Sequence, residues 1–335
     1  MSWRFLVLMS LTFTISLGRE TLSSYAEPVA QSSTKVSPKL AQAYLDYFNR
    51  ALEKQNRGDN YGAIADYNEA IRLNSNLAGA YLNRGSAKSL LGDNQEAIVD
   101  YNAAIRLNPY LAEAYYGRGR AKFLLGNNYS AITDYDEAIR LKPNYAEAYG
   151  SRGSAKSLTG DNQSAISDYN EAIRLNPNLA EAYYGLGRSR SLLGDNQGAI
   201  TDSNEAVRLN PNLAEAYTVR GNAKSNLGDN QGAISDYNEA IRLKPNLAES
   251  HYGLGRAKYL LGDNQGAISD YNEAIRLNPN LAYAYSMRGN AKFITGDKYG
   301  ALADFRRAAQ LFQQQGNTEW YQNVLKGIEE TERSL

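Results

Sequence analysis

The sequence predicts an all-α solenoid, a fold in which short helical hairpins stack one on the next. Two observations predict it. A 34-residue pattern recurs in phase through most of the 335-residue chain, and a period of this length is typical of stacked repeats. Each copy contains two short helical segments that cannot bury their apolar faces alone, so neighbouring copies must bury them.

The unit at residues 112–145, AEAYYGRGRAKFLLGNNYSAITDYDEAIRLKPNY, shows the pattern clearly. Its first helix is predicted to end at Gly126, and its second before Pro143, because glycine and proline stop helices at such positions. The predicted array, residues 38–315, contains eight units, at 44–77, 78–111, 112–145, 146–179, 180–213, 214–247, 248–281 and 282–315. The first and last units lack the proline, as expected of terminal copies.

The segment before the array has the layout of a secretory signal peptide. Arg4 precedes the apolar run Phe5–Gly18, and small residues follow. The run is shorter than the ~20 residues that span a bilayer. We therefore predict a signal peptide at residues 1–26, cleaved after Ala26, with no membrane span in the mature chain. An uncleaved anchor is the alternative. Residues 27–37 are predicted to form a flexible linker.

The array is predicted to open with a helix from Pro38 to about Gln55 and to close with a capping helix within residues 316–335. Thr318 is the predicted N-cap of this last helix. Its apolar residues share one face, which indicates packing rather than ligand binding for Trp320. Its predicted contacts are Phe305, Ala308 and Phe312.

Composition excludes several classes of site. The chain has no cysteine, which excludes disulfides and thiolate chemistry, and a single histidine, which excludes a multi-histidine metal site. Its formal net charge is zero, which disfavours nucleic acid as a partner. No catalytic residue, metal or cofactor is predicted.

The spacing of Tyr115, Gly119, Ala131, Tyr135 and Pro143 resembles the tetratricopeptide repeat family. The resemblance covers residues 44–315. The form of the repeat is similar to that of exported proteins of this family that are abundant in bacteria, cyanobacteria among them. It implies a right-handed superhelix of helical hairpins and a role in binding proteins. The chain departs from the usual pattern at two positions, with arginine where leucine is typical and lysine where tyrosine is typical.

These two departures, Arg118 and Lys122, recur in phase with Asp134. They predict an ion-pair ladder that joins the two helices of each hairpin, whereas Tyr115 and Tyr135 are predicted core residues. Equivalent charged sets are Arg84, Lys88 and Asp100; Arg152, Lys156 and Asp168; Arg220, Lys224 and Asp236; Arg288, Lys292 and Asp304. Where leucine replaces the arginine, Asp202 is expected to pair with Arg190, and Asp270 with Lys258.

Two copies break the aromatic pattern, at Ser203 and His251. Since each replaces a predicted core tyrosine, the array is expected to be looser between residues 200 and 255.

By resemblance, the first helix of each unit lines a concave groove, and four of its residues form an exposed stripe. Long tyrosine and arginine side chains occupy this stripe in every second unit, which superimposes a 68-residue period on the shorter one. Duplication of a two-unit block and alternating pockets for an extended ligand both explain this pattern. The candidate groove residues are Glu113, Tyr116, Arg120, Phe123, Glu181, Tyr184, Arg188, Glu249, Tyr252, Arg256 and Tyr259.

Arginine and tyrosine are favoured anchors at protein interfaces. A row of glutamates beside them adds the opposite charge: Glu113, Glu147, Glu181, Glu215 and Glu249. The sequence therefore favours a non-enzymatic scaffold that binds a peptide or protein segment in the groove. The predicted location is the bacterial periplasm or cell envelope, with outer-membrane association as a further possibility. A glycan-binding groove and a self-assembling envelope adaptor are the alternatives. The partner and the oligomeric state do not follow from the sequence.

Overall fold

The structure is a computed structural model that describes residues 38–335, with side chains from residue 41 onward. The predicted signal peptide and linker lie outside the described residues. The described part is all helical and without strands. Its helices are α1 (Pro38–Asn56), α2 (Asn60–Leu73), α3 (Ala78–Leu90), α4 (Asn94–Leu107), α5 (Ala112–Leu124), α6 (Asn128–Leu141), α7 (Ala146–Leu158), α8 (Asn162–Leu175), α9 (Ala180–Leu192), α10 (Asn196–Leu209), α11 (Ala214–Asn226), α12 (Asn230–Leu243), α13 (Ala248–Leu260), α14 (Asn264–Leu277), α15 (Ala282–Ile294), α16 (Lys298–Gln314) and α17 (Thr318–Ser334).

Each odd-numbered helix from α1 to α15 packs against the even-numbered helix that follows it, forming a hairpin. The turn between them contains a glycine with positive φ, such as Gly126 at +80°, a conformation that glycine adopts without the steric cost of a Cβ atom. Most second helices start after an aspartate, and the Asp229 carboxylate accepts a hydrogen bond from the Gly232 amide. These stop and start signals confirm the predicted fold class, a solenoid of tandem helical hairpins.

The described chain divides into two compact units, residues 38–177 and residues 178–335. Within each unit, the second helix of a hairpin also packs on the first helix of the next hairpin, and the first helices of successive hairpins contact one another. Successive second helices have no comparable contacts in either unit. The first helices therefore lie closer together and form one face of each unit, which we call the first-helix surface.

Small residues let the helices approach. Ala121, Ala131 and Ala138 are fully buried, and Tyr135 fills the space between the helices at 1 % exposure. The prediction for Tyr135 is confirmed. Tyr115 is only half-buried, and the Arg118 guanidinium covers its ring, with the guanidinium carbon 5.3 Å from the ring centroid.

The last helix, α17, packs on α16 as predicted. Its N-cap is Asn317, whose side chain accepts a hydrogen bond from the Trp320 amide, so the prediction of Thr318 as the cap is wrong. Asn317 precedes the helix, which is where a side chain can reach the unpaired amides. Trp320 stacks on Phe312 with ring centroids 6.0 Å apart, yet it is 37 % exposed and lies at the edge of the core.

Candidate functional site

The predicted ion-pair ladder is present and is part of the scaffold. In the hairpin of α5 and α6, Arg118 Nη2 lies 2.6 Å from Asp134 Oδ1, and Lys122 Nζ lies 2.7 Å from Asp134 Oδ2. Asp134 is buried, so its charge is compensated by two cations rather than left alone. The same arrangement holds for Arg50, Lys54 and Asp66; Arg84, Lys88 and Asp100; Arg152, Lys156 and Asp168; Arg220, Lys224 and Asp236; and Arg288, Lys292 and Asp304.

The ladder also joins successive hairpins, which the sequence interpretation missed. Arg118 Nη1 donates to Asn102 Oδ1 on α4, at 2.7 Å. A signal for this bond exists in the sequence, because an asparagine or aspartate stands sixteen residues before every ladder arginine except Arg50, the first one. The bonded side chains are Asn68, Asn102, Asp136, Asn204 and Asn272.

Two hairpins of residues 178–335 lack the arginine and keep the predicted shorter pairs. Arg190 Nη1 lies 2.8 Å from Asp202 Oδ2, and Lys258 Nζ lies 2.8 Å from Asp270 Oδ2. Burial raises the pKa of Asp202 to about 6, an effect that Arg190 only partly opposes. Burial also raises the pKa of Asp270, against the hydrogen bond from Lys258. Asp202 is buried and Asp270 is half-buried, and each lies beside a base on its own hairpin.

Within residues 38–177, only some of the predicted groove residues lie at the surface. Tyr116 and Phe123 are 5 % and 7 % exposed, so the expectation that they form an exposed stripe is wrong. Tyr145 stands where most units have leucine, and its ring lies 4.9 Å from that of Tyr116. This extra aromatic contact draws Tyr116 into the core cluster that also contains Phe123.

Arg120 remains half-buried on the first-helix surface of this unit. Its positive charge and the negative charge of Glu147 both act on the Tyr116 hydroxyl, whose pKa is raised mainly by burial. Glu113 is partly buried and lies 3.3 Å from Lys142 Nζ. Glu113 therefore has a cationic partner within its own hairpin.

In residues 178–335 the aromatic groove residues are more accessible, because Tyr184, Tyr252 and Tyr259 are half-buried rather than buried. Glu181, Arg188 and Arg256 are half-buried, as Arg120 is. Because these side chains extend from α9 and α13, they flank α11, which contacts both helices. The first-helix surface of this unit thus presents aromatic rings and guanidinium groups in two rows.

Glu249, on α13, is exposed at the first-helix surface. Partial desolvation by the surrounding protein raises the pKa of its carboxyl group, Arg188 opposes this change, and Glu215 adds to it. Glu215 itself lies 2.9 Å from Lys244 Nζ. Glu249 has no such lysine, because residue 278, at the corresponding position, is an asparagine.

A chain of polar contacts that the sequence interpretation missed crosses this surface. Arg256 Nη1 donates to Asn226 Oδ1 at 3.2 Å, and Asn226 Nδ2 donates to Asn196 Oδ1 at 3.2 Å. These bonds connect α13, α11 and α10. Neither amide neutralises the arginine, so Arg256 keeps an uncompensated positive charge on this surface.

The described residues show neither a cluster of three or more metal-binding side chains nor a helix long and apolar enough to cross a membrane. What residues 178–335 offer chemically is a set of hydrogen-bond donors, aromatic faces and charges of both signs. Such groups recognise peptide segments and other polar chains.

Comparison with known proteins identifies the family. A family model described as TPR repeat matches residues 90–126, 119–160, 153–190, 221–262 and 255–296, and a model described as tetratricopeptide repeat matches residues 180–213. No curated protein matches the chain.

Solved structures share the fold. A tetratricopeptide repeat protein from Parabacteroides merdae ATCC 43184 is similar over 75 % of this chain and 99 % of its own, with 19 % identity and a TM-score of 0.58. A chain of the APC/C hetero-tetramer Cut9-Hcn1 is similar over 84 % of this chain and 55 % of its own, with 18 % identity and a TM-score of 0.65. Since the family models match more than half of the chain and its helices form tandem hairpins, the chain belongs to the tetratricopeptide repeat family.

Proposed function

We propose that this protein is a scaffold that binds an extended peptide or protein segment along its first-helix surface. Tetratricopeptide repeats generally serve as non-enzymatic protein-interaction scaffolds, and the fold supports that role for this chain. The observation that carries the finer proposal is the surface of residues 178–335. There Tyr184, Arg188, Tyr252 and Arg256 are partly exposed on closely spaced helices, beside the exposed Glu249.

The chemistry of this surface favours a peptide. Tyrosine and arginine contribute large contact areas at protein interfaces, and arginine binds carboxylates through two parallel hydrogen bonds. The ion-pair ladder holds the hairpins through contacts that do not involve these side chains. A partner that binds these surface side chains therefore leaves the ion pairs of the ladder in place.

Charge reversal on the first-helix surface tests this function. Peptides selected by display on the purified chain should lose binding by at least about tenfold when Arg120, Arg188 and Arg256 are all replaced by glutamate, because each loses a charged hydrogen-bond donor. The matched control replaces Arg140, Arg174 and Arg242, which are exposed arginines of second helices, and should bind as wild type. Undiminished binding by the first variant would contradict the proposal.

We also propose that the chain is exported to the bacterial cell envelope. The support is the sequence of residues 1–26, which has the basic start, short apolar run and small residues of a secretory signal. Intact-mass measurement of the protein purified from its native cells should give a chain that starts at Glu27. A mass that retains Met1 through Ala26, or recovery in the cytosolic fraction alone, would contradict export and cleavage.

A further inference from the structure

Trp320, the only tryptophan of residues 41–335, lies at the end of the array in the first turn of α17. Its indole ring stacks on the buried Phe312, with ring centroids 6.0 Å apart and an angle of 26° between the planes. Tyr283 of α15 meets both rings at 78°, with its centroid 5.0 Å from each. Since 37 % of Trp320 remains exposed, the exposed part of the indole lies on the side away from Phe312.

Hydrogen bonds from the turn between α16 and α17 hold these rings in place. Asn317 Oδ1 accepts a hydrogen bond from the Trp320 amide at 3.2 Å, and Asn317 Nδ2 donates to Tyr283 Oη at 3.1 Å. Gln315 Nε2 donates to the Asn280 carbonyl oxygen at 3.0 Å, which ties the turn to the segment that precedes α15. Because the rings are ordered in the free protein, a ligand that binds them does not bear the entropy cost of ordering them.

The segment that contains this turn differs in composition from the rest of the chain. Between Arg307 and Lys326 only Glu319 is charged, whereas 21 % of the whole chain is charged. In place of charges the segment has side-chain amides, at Gln310, Gln313, Gln314, Gln315, Asn317, Gln322 and Asn323. Four of these residues are exposed: Gln313, Gln314, Gln322 and Asn323. The exposed indole therefore belongs to a segment that is polar but almost uncharged.

This combination of groups matches the chemistry of a neutral sugar. A primary amide both donates and accepts hydrogen bonds, as a hydroxyl group does. The face of an aromatic ring carries partial negative charge, and the C–H groups of a pyranose ring, polarised by the neighbouring oxygens, pack against such a face. Asn323 lies three residues after Trp320, a spacing that makes the two side chains neighbours on the helix surface. An acidic ligand would find no cation between Arg307 and Lys326.

We propose that the turn between α16 and α17 binds a neutral oligosaccharide. One pyranose ring stacks on the exposed side of the Trp320 indole, and the Asn323 amide bonds hydroxyl groups of the sugar. The sequence interpretation assigned Trp320 to packing alone, and its exposure in the structure adds the binding role. The site goes beyond the proposed peptide-binding function and does not depend on it, because it uses neither Arg188 nor Arg256.

Defined oligosaccharides test the site on the full chain by isothermal titration calorimetry. The neutral probes are the tetrasaccharides of β-1,4-linked glucose, α-1,4-linked glucose, β-1,4-linked mannose and β-1,4-linked N-acetylglucosamine. The tetrasaccharide of galacturonic acid is the anionic control. We expect at least one neutral probe to bind with a dissociation constant at or below about 1 mM. The anionic control should bind at least about tenfold more weakly than that probe, because the segment offers it no cation.

Substitutions at Trp320 separate binding from packing. Trp320→Leu keeps an apolar side chain against Phe312 but removes the aromatic face, and should weaken sugar binding at least about tenfold. Trp320→Tyr keeps a ring and should bind within about threefold of wild type. The matched control is Tyr299→Leu, which changes a tyrosine that is 77 % exposed at the opposite end of α16, and it should bind as wild type. Asn323→Ala, at an exposed position that leaves the packing of α17 intact, should weaken binding about threefold.

Failure of all the neutral probes to bind would overturn the site, and so would wild-type affinity in Trp320→Leu. If Trp320→Leu lowers the melting temperature, Asn323→Ala decides, and unchanged binding by that variant would overturn the site. A pool of random peptides without charged residues that binds more tightly than every sugar, and loses binding in Trp320→Leu, would assign the indole to a peptide instead. The triple charge reversal on the first-helix surface should leave sugar binding unchanged, so the two functions can fail separately.

Discussion

Asp66 and Asp202 occupy the same place in their hairpins, yet their carboxyl groups have opposite pKa shifts. The hydrogen bond from Arg50 holds the pKa of Asp66 at about 2, despite burial. Asp202 lacks such a partner at the position of Leu186, and burial raises its pKa to about 6. One substitution in the ladder thus reverses the direction in which a buried acid titrates.

This difference predicts opposite pH dependences for the two acids. The folded-state pKa of Asp66 lies below its unfolded value, so its contribution to stability is present above about pH 4 and is lost as the pH falls toward 2. For Asp202 the folded-state pKa is the higher one, so its contribution is present below about pH 4 and is lost as the pH rises through 6. Carboxyl carbon-13 NMR titration measures both values, and a pKa for Asp202 below 4 would contradict this account.

A second prediction concerns the buried acid of a complete ladder. Asp134→Asn leaves Arg118 and Lys122 without their carboxylate and should destabilise the hairpin of α5 and α6 by about 3–5 kcal/mol. Glu137→Gln breaks an exposed pair with Arg140 and should cost less than about 1 kcal/mol. Hydrogen exchange of the α5 and α6 amides gives both free energies. Equal costs for the two variants would exclude a structural role for the ladder.

At the level of the hairpin, Ser203 of α10 stands where the second helices of the other hairpins have an aromatic residue. The rings of Tyr101 and Tyr237 approach Gly117 and Gly253 of the next hairpin so closely that a Cβ atom there would lie 2.6 and 2.5 Å from ring atoms. Ser203 has no ring, and the corresponding next residue is Val219, which is buried. The valine occupies space near the missing ring, while the buried Ser203 hydroxyl has no hydrogen-bond partner.

Because Val219 lies where the missing ring would be, substitutions at Ser203 and Val219 are expected to be energetically coupled. Ser203→Tyr alone should be neutral or destabilising, because the new ring meets Val219, whereas Ser203→Tyr combined with Val219→Gly should raise the free energy of unfolding by about 2 kcal/mol. Denaturant melts of the two single variants and the double variant measure the coupling. Additive effects would show that the two positions do not share this space.

The loosening expected between residues 200 and 255 also belongs to this level. The unpartnered hydroxyls of Ser189 and Ser203, both fully buried, give it a physical basis in the hairpin of α9 and α10. Amides of α10 should exchange faster than those of α12, whose Tyr237 is paired. Exchange at equal rates in these two helices would refute the expectation.

For the molecule as a whole, the fold was predictable because every hairpin repeats the same local signals. Gly126 and its counterparts end the first helices, and the phase of Arg118, Lys122 and Asp134 predicted contacts between residues sixteen positions apart. Repetition made these patterns visible in a single sequence. The boundaries of the eight units and of the signal peptide remain predictions.

The candidate site was less predictable, because burial depends on neighbours outside each helix. Tyr116 and Tyr252 hold the same position, but Tyr145 covers the first, and the leucine that corresponds to Tyr145 leaves the second partly exposed. Differences between units, rather than the pattern they share, distinguish the proposed site.

The central claim is that a partner lies along the first helices, and site-specific photocross-linking tests it most directly. A photoreactive phenylalanine derivative replaces Tyr252 of α13 in one variant and, as the matched control, Tyr299 of α16, an exposed tyrosine of a second helix, in another. With a peptide selected on the wild-type chain, we predict cross-links from position 252 and none from position 299. Cross-links from position 299 alone would contradict the claim.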